Sequence, residues 1–302
     1  MSSENLTDNR PLWVIVAILA FFFLIFFVFT MSIVSIISGS VEIKEAIGVI
    51  EIKGTIEKAD QTIMNIRKMN EDELVKAVLI RIDSPGGSVS ASQEMMEAIR
   101  SIRKPVAISM GGMAASGGYY VACAGPRIFA NPGTLTGSIG VISQIMEFSE
   151  LLDFLDIKVN TVKTGDLKDS GSPFREFTRE DRAYFEDLGL HLYDQFVTQV
   201  SESRNLPREK VLSVADGRVL SGKQALEAGL VDELGGMYAA VEYLRKAASL
   251  PEDVALKYPP SSSNELFQQI LTEGGTTAGK ALVSGAEELL NGSTPFQYLY
   301  KP

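Results

Sequence analysis

From Ile47 to Tyr120, short apolar runs alternate with amphipathic stretches, and this alternation narrows the fold more than any other feature of the 302-residue chain. Ile47 to Ile52, Ala77 to Ile82 (A-V-L-I-R-I) and Pro105 to Ser109 (P-V-A-I-S) read as buried strands. Between them, Asp60 to Asn70 and Ser88 to Arg103 carry apolar residues at helical spacing. Strand–helix–strand–helix at these intervals predicts a parallel sheet with crossover helices, an α/β architecture. Such sheets bind ligands beyond the C-terminal ends of their strands. Two glycine-rich turns, S-P-G-G at 84–87 and G-G-M-A-A-S-G-G at 111–118, fall at that end of successive strands and are expected to face one crevice.

Further along, Arg127 to Ala130 and Lys158 to Val162 read as strands, and Leu151 to Leu155 as a short helix. Lys163 to Pro173 (K-T-G-D-L-K-D-S-G-S-P) is a polar loop. A long helix is predicted from Thr178 to Arg204, opened by a capping box of Thr178 with Asp181, and further helices over 222–228 and 237–249. From Tyr258 the composition turns to proline and serine, a linker, followed by expected helices at Asn264 to Thr272 and Lys280 to Leu290 and an aromatic end, Phe296 to Tyr300. The chain therefore divides into a tail and apolar segment (1–40), a main domain (41–257) and a linker with a C-terminal tail (258–302).

No residue from Pro11 to Ile37 is charged, and Leu12 to Phe29 is almost wholly apolar. A run of about 20 apolar residues crosses a bilayer as a helix, and a cleavable secretory signal has a shorter apolar region. An uncleaved signal anchor contacting lipid through residues 12–37 is expected, with Trp13 at the interface. The balance of 28 basic against 38 acidic residues argues against a broad nucleic-acid surface. Cys123 is the only cysteine, so the chain forms no intrachain disulfide, and its apolar surroundings predict a small buried hydrophobe.

Ser116 lies between Ala114-Ala115 and Gly117-Gly118. Small neighbours admit a peptide backbone, and glycines permit the sharp strand-to-helix turn that presents a nucleophilic hydroxyl; the same residues would also serve a helix start capped by serine. A serine nucleophile needs a base and an oxyanion site. The one histidine, His191, sits within the predicted long helix, in G-L-H-L-Y-D-Q-F, where a structural or surface role fits better. Lysine replaces imidazole when its amine is neutral, and the loop offers Lys168 with Lys163 as a rival. Asp166 and Asp169 flank Lys168 and would favour its charged form. Gly86 and Gly87 supply backbone amides that suit either an oxyanion or an ordinary type II turn.

Taken together and in order, S-P-G-G at 84–87, A-A-S-G-G-Y-Y at 114–120, L-T-G-S-I-G-V at 135–141, K-T-G-D-L-K-D at 163–169, D-G-R-V-L-S-G at 216–222 and G-L-V-D-E-L-G at 229–235 resemble the bacterial signal peptide peptidase A (protease IV) family. The resemblance covers about residues 45–250. It implies a Clp-protease/crotonase-like fold, Ser116 as nucleophile, Lys168 rather than Lys163 as general base, and Ser138 as the serine that orients the lysine. The amides of Gly87 and Gly117 would form the oxyanion hole. Each motif occurs once, as in the family's short form, which implies a homo-oligomer whose sites take serine and lysine from neighbouring subunits. It also implies peptide substrates (signal peptides), no cofactor and no metal. Arg10 ahead of the apolar segment and Lys44 after it put the N-terminus in the cytoplasm, so a single-pass protein of the bacterial inner membrane with its catalytic domain on the extracytoplasmic side is expected.

Two other readings share parts of this pattern. A crotonase-like acyl-CoA enzyme uses similar oxyanion glycines but needs no serine–lysine pair and rarely a bilayer anchor. An inactive membrane scaffold of the same fold is opposed by the intact Ser116 and Lys168. The apolar tail, Phe296 to Tyr300, resembles a peptide that such a site accepts, and it is expected either to enter the cleft and limit activity or to pack on a neighbouring subunit.

Overall fold

The computed structural model of the chain describes residues 19–28, 44–259 and 297–299. Two units divide it, Met1–Lys44 and Glu45–Pro302. In the first, residues 19–28 form helix α1, with every described side chain exposed. No helix among the described residues is long and apolar enough to cross a membrane. The rest of the 12–37 segment lies outside them, as do the helices expected at 264–272 and 280–290.

The second unit opens with β1 (Ala46–Lys53), α2 (Asp60–Glu71), β2 (Val75–Ser84), β3 (Gly86–Ser88), α3 (Val89–Arg100), β4 (Val106–Ala115) and α4 (Gly117–Ala122). It continues with β5 (Ile128–Ala130), β6 (Leu135–Gly137), α5 (Ser149–Phe154), a single-turn 3-10 helix (Asp166–Asp169), α6 (Arg179–Arg204) and α7 (Arg208–Leu212). Then follow β7 (Val219–Ser221), α8 (Gly222–Ala228), β8 (Glu233–Leu234), α9 (Met237–Ala247), β9 (Ala255–Lys257) and β10 (Gln297–Leu299).

The expected parallel sheet forms. Its order is β7-β6-β4-β2-β1-β9, with β5 and β8 branching from β4. All pairs are parallel except β6 with β7. The central register sets Ile50 beside Ile80 and Ile80 beside Ile108. Successive strand residues point to opposite faces, so the sheet serves two apolar layers. Ile50, Ile80 and Ile108 pack in one core with Met96 of α3 and Phe196 of α6, whereas Val49, Leu79 and Ala107 meet Leu244 of α9. This double burial explains why β1 and β2 read as continuous apolar runs rather than alternating ones.

Two local expectations change. β4 does not stop at Ser109 but runs on through Gly111-Gly112 to Ala115. Lys158 to Val162 is not a strand: its residues are exposed, Val162 at 98%, and no ladder partner accompanies them among the described residues. A β-branched run without a neighbouring edge cannot pair its backbone. The capping box opens α6 as expected, with Thr178 Oγ1 accepting from the Asp181 amide at 3.1 Å and Asp181 Oδ2 accepting from the Thr178 amide at 3.0 Å.

Candidate active site

Ser116 terminates the central strand β4. The register with β2 slips between Ile82↔Met110 and Ser84↔Ala114, so three residues of β4 bulge opposite Asp83. The bulge is fastened there: the Met113 amide donates to Asp83 Oδ1 at 3.0 Å, and a Cβ on Gly111 would lie 2.7 Å from Asp83 Cγ. Behind the bulge, Gly118 packs so closely on the S-P-G-G turn that a Cβ would come within 2.9 Å of the Ser84 carbonyl oxygen. The strand and the turn that follows it are thus locked together by residues with almost no side chain.

At Ser116 the backbone adopts φ 53° and ψ −118°. A non-glycine residue held at positive φ is strained and persists only where its surroundings over-determine it. Here the Ser116 amide donates to the Gly137 carbonyl at 2.8 Å, and the Ser116 carbonyl accepts from Tyr120 at 2.9 Å as α4 begins. The residue is 1% exposed, and its Oγ has no hydrogen-bond partner among the described residues. Leaving a buried hydroxyl unpaired costs about 1–3 kcal/mol, so the fold retains a serine here against its own stability.

The parallel register of β4 and β6 sets Ala115 beside Gly137, which carries Ser138 to the same sheet end as Ser116. Ser138 repeats the unusual geometry, with φ 50°, and its amide donates to the Arg218 carbonyl at 2.8 Å. Gly117 is the first residue of α4. Gly87 lies in β3, in parallel bridge contact with Ile56, where a Cβ would sit 2.1 Å from the Ile56 carbonyl oxygen; only glycine fits. The two glycine-rich turns therefore do converge on one end of the sheet. β3 also pairs antiparallel with β10, Tyr298 opposite Gly87, so the chain lays its own extended C-terminal segment along the glycine strand.

Lys168 is placed differently. It sits exposed on the 3-10 turn, without an ion pair among the described residues, and does not hydrogen-bond Ser116 within this chain. Its rival Lys163 is tied down, donating to the Asp166 carbonyl at 2.7 Å and to Asp169 Oδ1 at 2.6 Å. Asp169 pairs with Lys163 and with Arg175, whose guanidinium holds that carboxyl below its usual range. His191 is exposed on α6 and its Nδ1 faces the Asp187 carbonyl at 2.8 Å. Burial pushes the Cys123 thiol up to about 12, which removes it as a nucleophile at neutral pH.

Between the segment following Ser138 and α6 opens a cleft of mixed character, lined by Ile139, Val141 and Phe185 together with Glu147, Arg182 and Asp216. The loop that carries Lys168 is preceded by exposed apolar side chains, including Met146 (70%), Phe154 (85%) and Val162. Asp83 and Arg175 were not legible as site residues. The signal for the first was its place ahead of S-P-G-G; for the second it was an arginine three residues before a capping box.

The geometry can be set beside known proteins. The chain is 37% identical over 196 residues to an Enterococcus faecium protein named for signal peptide peptidase SppA, covering 64% of this chain and 57% of that one. It is 38% identical over 213 residues to a protease-named protein of Synechocystis sp., covering 70% and 77% respectively. It is 36% identical over 245 residues to the chloroplastic serine protease SPPA of Arabidopsis thaliana, covering 78% and 36%. The chain thus spans just over half the length of the Enterococcus relative and about a third of the Arabidopsis one. A Clp protease family model matches residues 41–134, in keeping with the Clp-protease-like, mostly parallel α/β sheet. The model of peptidase family S49 matches residues 98–251, half of the chain and the whole stretch from the end of α3 past α9: the chain belongs to peptidase family S49.

Proposed function

We propose that this protein is a membrane-anchored serine endopeptidase in which Ser116 attacks the scissile carbonyl and Lys168 is the general base. The observation that carries the reading is Ser116 itself: buried, strained, without a partner for Oγ among the described residues, and at the sheet end where the Gly87 strand lies. Neutral Lys168 accepts the Ser116 proton as Oγ adds to the carbonyl. The amides of Gly87 and Gly117 receive the oxyanion, and the lysine returns the proton to the leaving amine. Water, deprotonated by the same lysine, then releases the acyl group. Ser138 orients the lysine.

Because Ser116 Oγ has no partner among the described residues and Lys168 stands on an exposed, apolar-flanked loop, the base is proposed to come from a neighbouring copy in a homo-oligomer. The proposed substrates are signal peptides left in the membrane after release by signal peptidase; the cleft beside Ser138 offers apolar side chains such as Ile139, Val141 and Phe185 next to the charged Arg182, Glu186 and Asp216. The anchor in 12–37 would hold the site on the extracytoplasmic side of a bacterial inner membrane. Treating the full-length protein in detergent with a fluorophosphonate and locating the adduct by mass spectrometry tests the dyad. Labelling at Ser116 that disappears in Ser116→Ala and in Lys168→Ala is expected. A folded, assembled protein that takes no label is instead the inactive scaffold.

The pairing of β10 with β3 supports an extended-peptide substrate, since main-chain strand addition is how such segments dock on an exposed sheet edge. The tail then competes with substrate from within the chain. Deleting residues 259–302, or blocking the pairing with Tyr298→Pro, is expected to raise hydrolysis of a dilute peptide about tenfold, chiefly through KM, by removing a competitor at high effective concentration. Unchanged KM in both would show that the tail does not occupy the peptide edge.

A further inference from the structure

The loop carrying the proposed base is built around two carboxylates and two cations that interlock. Arg175 grips Asp181 through Nη1 at 2.5 Å and Nη2 at 2.8 Å. The same guanidinium reaches back to Asp169, with Nε 3.1 Å from Oδ2 and Nη2 donating to Oδ1 at 3.2 Å and to the Asp169 carbonyl at 3.1 Å. Lys163 closes the other side of Asp169 at 2.6 Å. The Asp169 and Asp181 side chains are only 14% and 3% exposed. Asp181 is at once the third residue of the α6 capping box. One planar, five-donor side chain therefore ties the 3-10 turn to the start of α6, a bridge that an ammonium cannot reproduce.

Lys168 is the residue immediately before Asp169. The charged groups around the turn are Lys163, Asp166 and Asp169 in the loop, Arg175 and Glu176 after it, Asp181 on α6, and Glu147 before α5. Of the carboxylates, Asp169 and Asp181 are held by the cations, and Glu147 accepts from Ser149 Oγ and the Phe177 amide. Asp166 is exposed, where water screens it. A general base has to be neutral to accept a proton, and a free carboxylate at its side would favour the charged form.

We propose that Arg175 is a positioning residue for Lys168: it pins the turn to α6 and, with Lys163, withholds the Asp169 carboxylate from the base. The inference rests on the serine–lysine reading and adds a device that keeps the lysine usable. Removing Arg175 frees one side of Asp169, which then pairs with Lys168. Because only the neutral amine works, the acid limb of the kcat/KM profile moves to higher pH.

The test measures peptide hydrolysis by the full-length protein against pH, with fluorophosphonate labelling alongside. Arg175→Met is expected to move the acid limb up by about one pH unit and to lower kcat at neutral pH about tenfold with KM little changed. Adding Asp169→Asn to that variant is expected to return the limb to its wild-type position, because the freed carboxylate is gone. Should Arg175→Met fail to fold, Arg175→Lys carries the same test, since one ammonium can hold Asp181 but not bridge both acids. A limb that stays in place in the single variant, or one that moves and is not restored by Asp169→Asn, overturns the proposal. Failure of the underlying reading looks different: Ser116 labelling would then survive in Lys168→Ala, whatever Arg175 does.

Discussion

Ser116→Ala and Lys168→Ala proteins, each inactive alone, are expected to recover about a quarter of wild-type activity when mixed in equal amounts, dissociated and reassembled, if each site draws on two subunits. Either substitution alone is expected to lower kcat at least about 10³-fold, since neither half of a nucleophile–base pair works without the other. In a mixed oligomer, a site functions when its serine comes from a Lys168→Ala subunit and its lysine from a Ser116→Ala neighbour, and random assembly supplies that pairing at one site in about four. The structure motivates the experiment directly. The Ser116 hydroxyl is buried without a partner among the described residues, while Lys168 is exposed on a loop preceded by apolar side chains that a lone subunit leaves in water. Complementation is read as peptide hydrolysis after reassembly, with oligomer formation checked by light scattering. No recovery from properly assembled mixtures would mean that each chain supplies both groups itself.

Gly87→Ala is expected to lower kcat about 10²-fold or more while leaving the protein assembled. The effect follows from space rather than from general flexibility. A Cβ at this position would lie 2.1 Å from the Ile56 carbonyl oxygen and 2.7 Å from its carbonyl carbon, both backbone atoms that cannot swing away. The Ile56 carbonyl also accepts from the Ser88 amide at 2.6 Å, so β3 and the Ile56 segment would have to part. An oxyanion donor that moves by an ångström loses most of its value, because its worth depends on being aimed before the charge develops. Gly133→Ala is the matched control, since a Cβ there meets nothing within 4 Å. Circular dichroism and KM for a short peptide separate a displaced donor from a collapsed edge: kcat falling with KM held is the expected pattern. A raised KM with kcat unchanged would instead assign Gly87 to binding alone.

Much of this arrangement is legible in the sequence. Apolar runs separated by amphipathic stretches predict the parallel sheet, since buried strands and crossover helices leave different periodicities. S-P-G-G and A-A-S-G-G stand out because close backbone approach excludes side chains, and composition records that exclusion. The Thr178–Asp181 box announces the start of α6 for a similar reason, the pairing being local to one turn. The length of β4 was not legible, because its last six residues look like a turn and become strand only through Asp83 on a neighbouring element. Lys158 to Val162 misled in the opposite sense: its β-branched pattern is genuine, but a strand also needs an edge to pair with.

The choice between Lys163 and Lys168 shows where the boundary falls. Both lysines stand in one polar loop, and residue type alone does not separate them; only the resemblance to a family did. The tertiary structure separates them physically, engaging Lys163 with Asp169 and the Asp166 carbonyl while leaving Lys168 unpaired among the described residues. Likewise Arg175 carries no motif of its own and acquires meaning from the two carboxylates it joins. Sequence by itself determined the sheet, the glycine turns and the serine at their meeting point, because those depend on local periodicity and on the absence of side chains. Only the tertiary structure decided which charges neutralise one another, because ion pairing depends on distances that the chain sets when it folds back on itself.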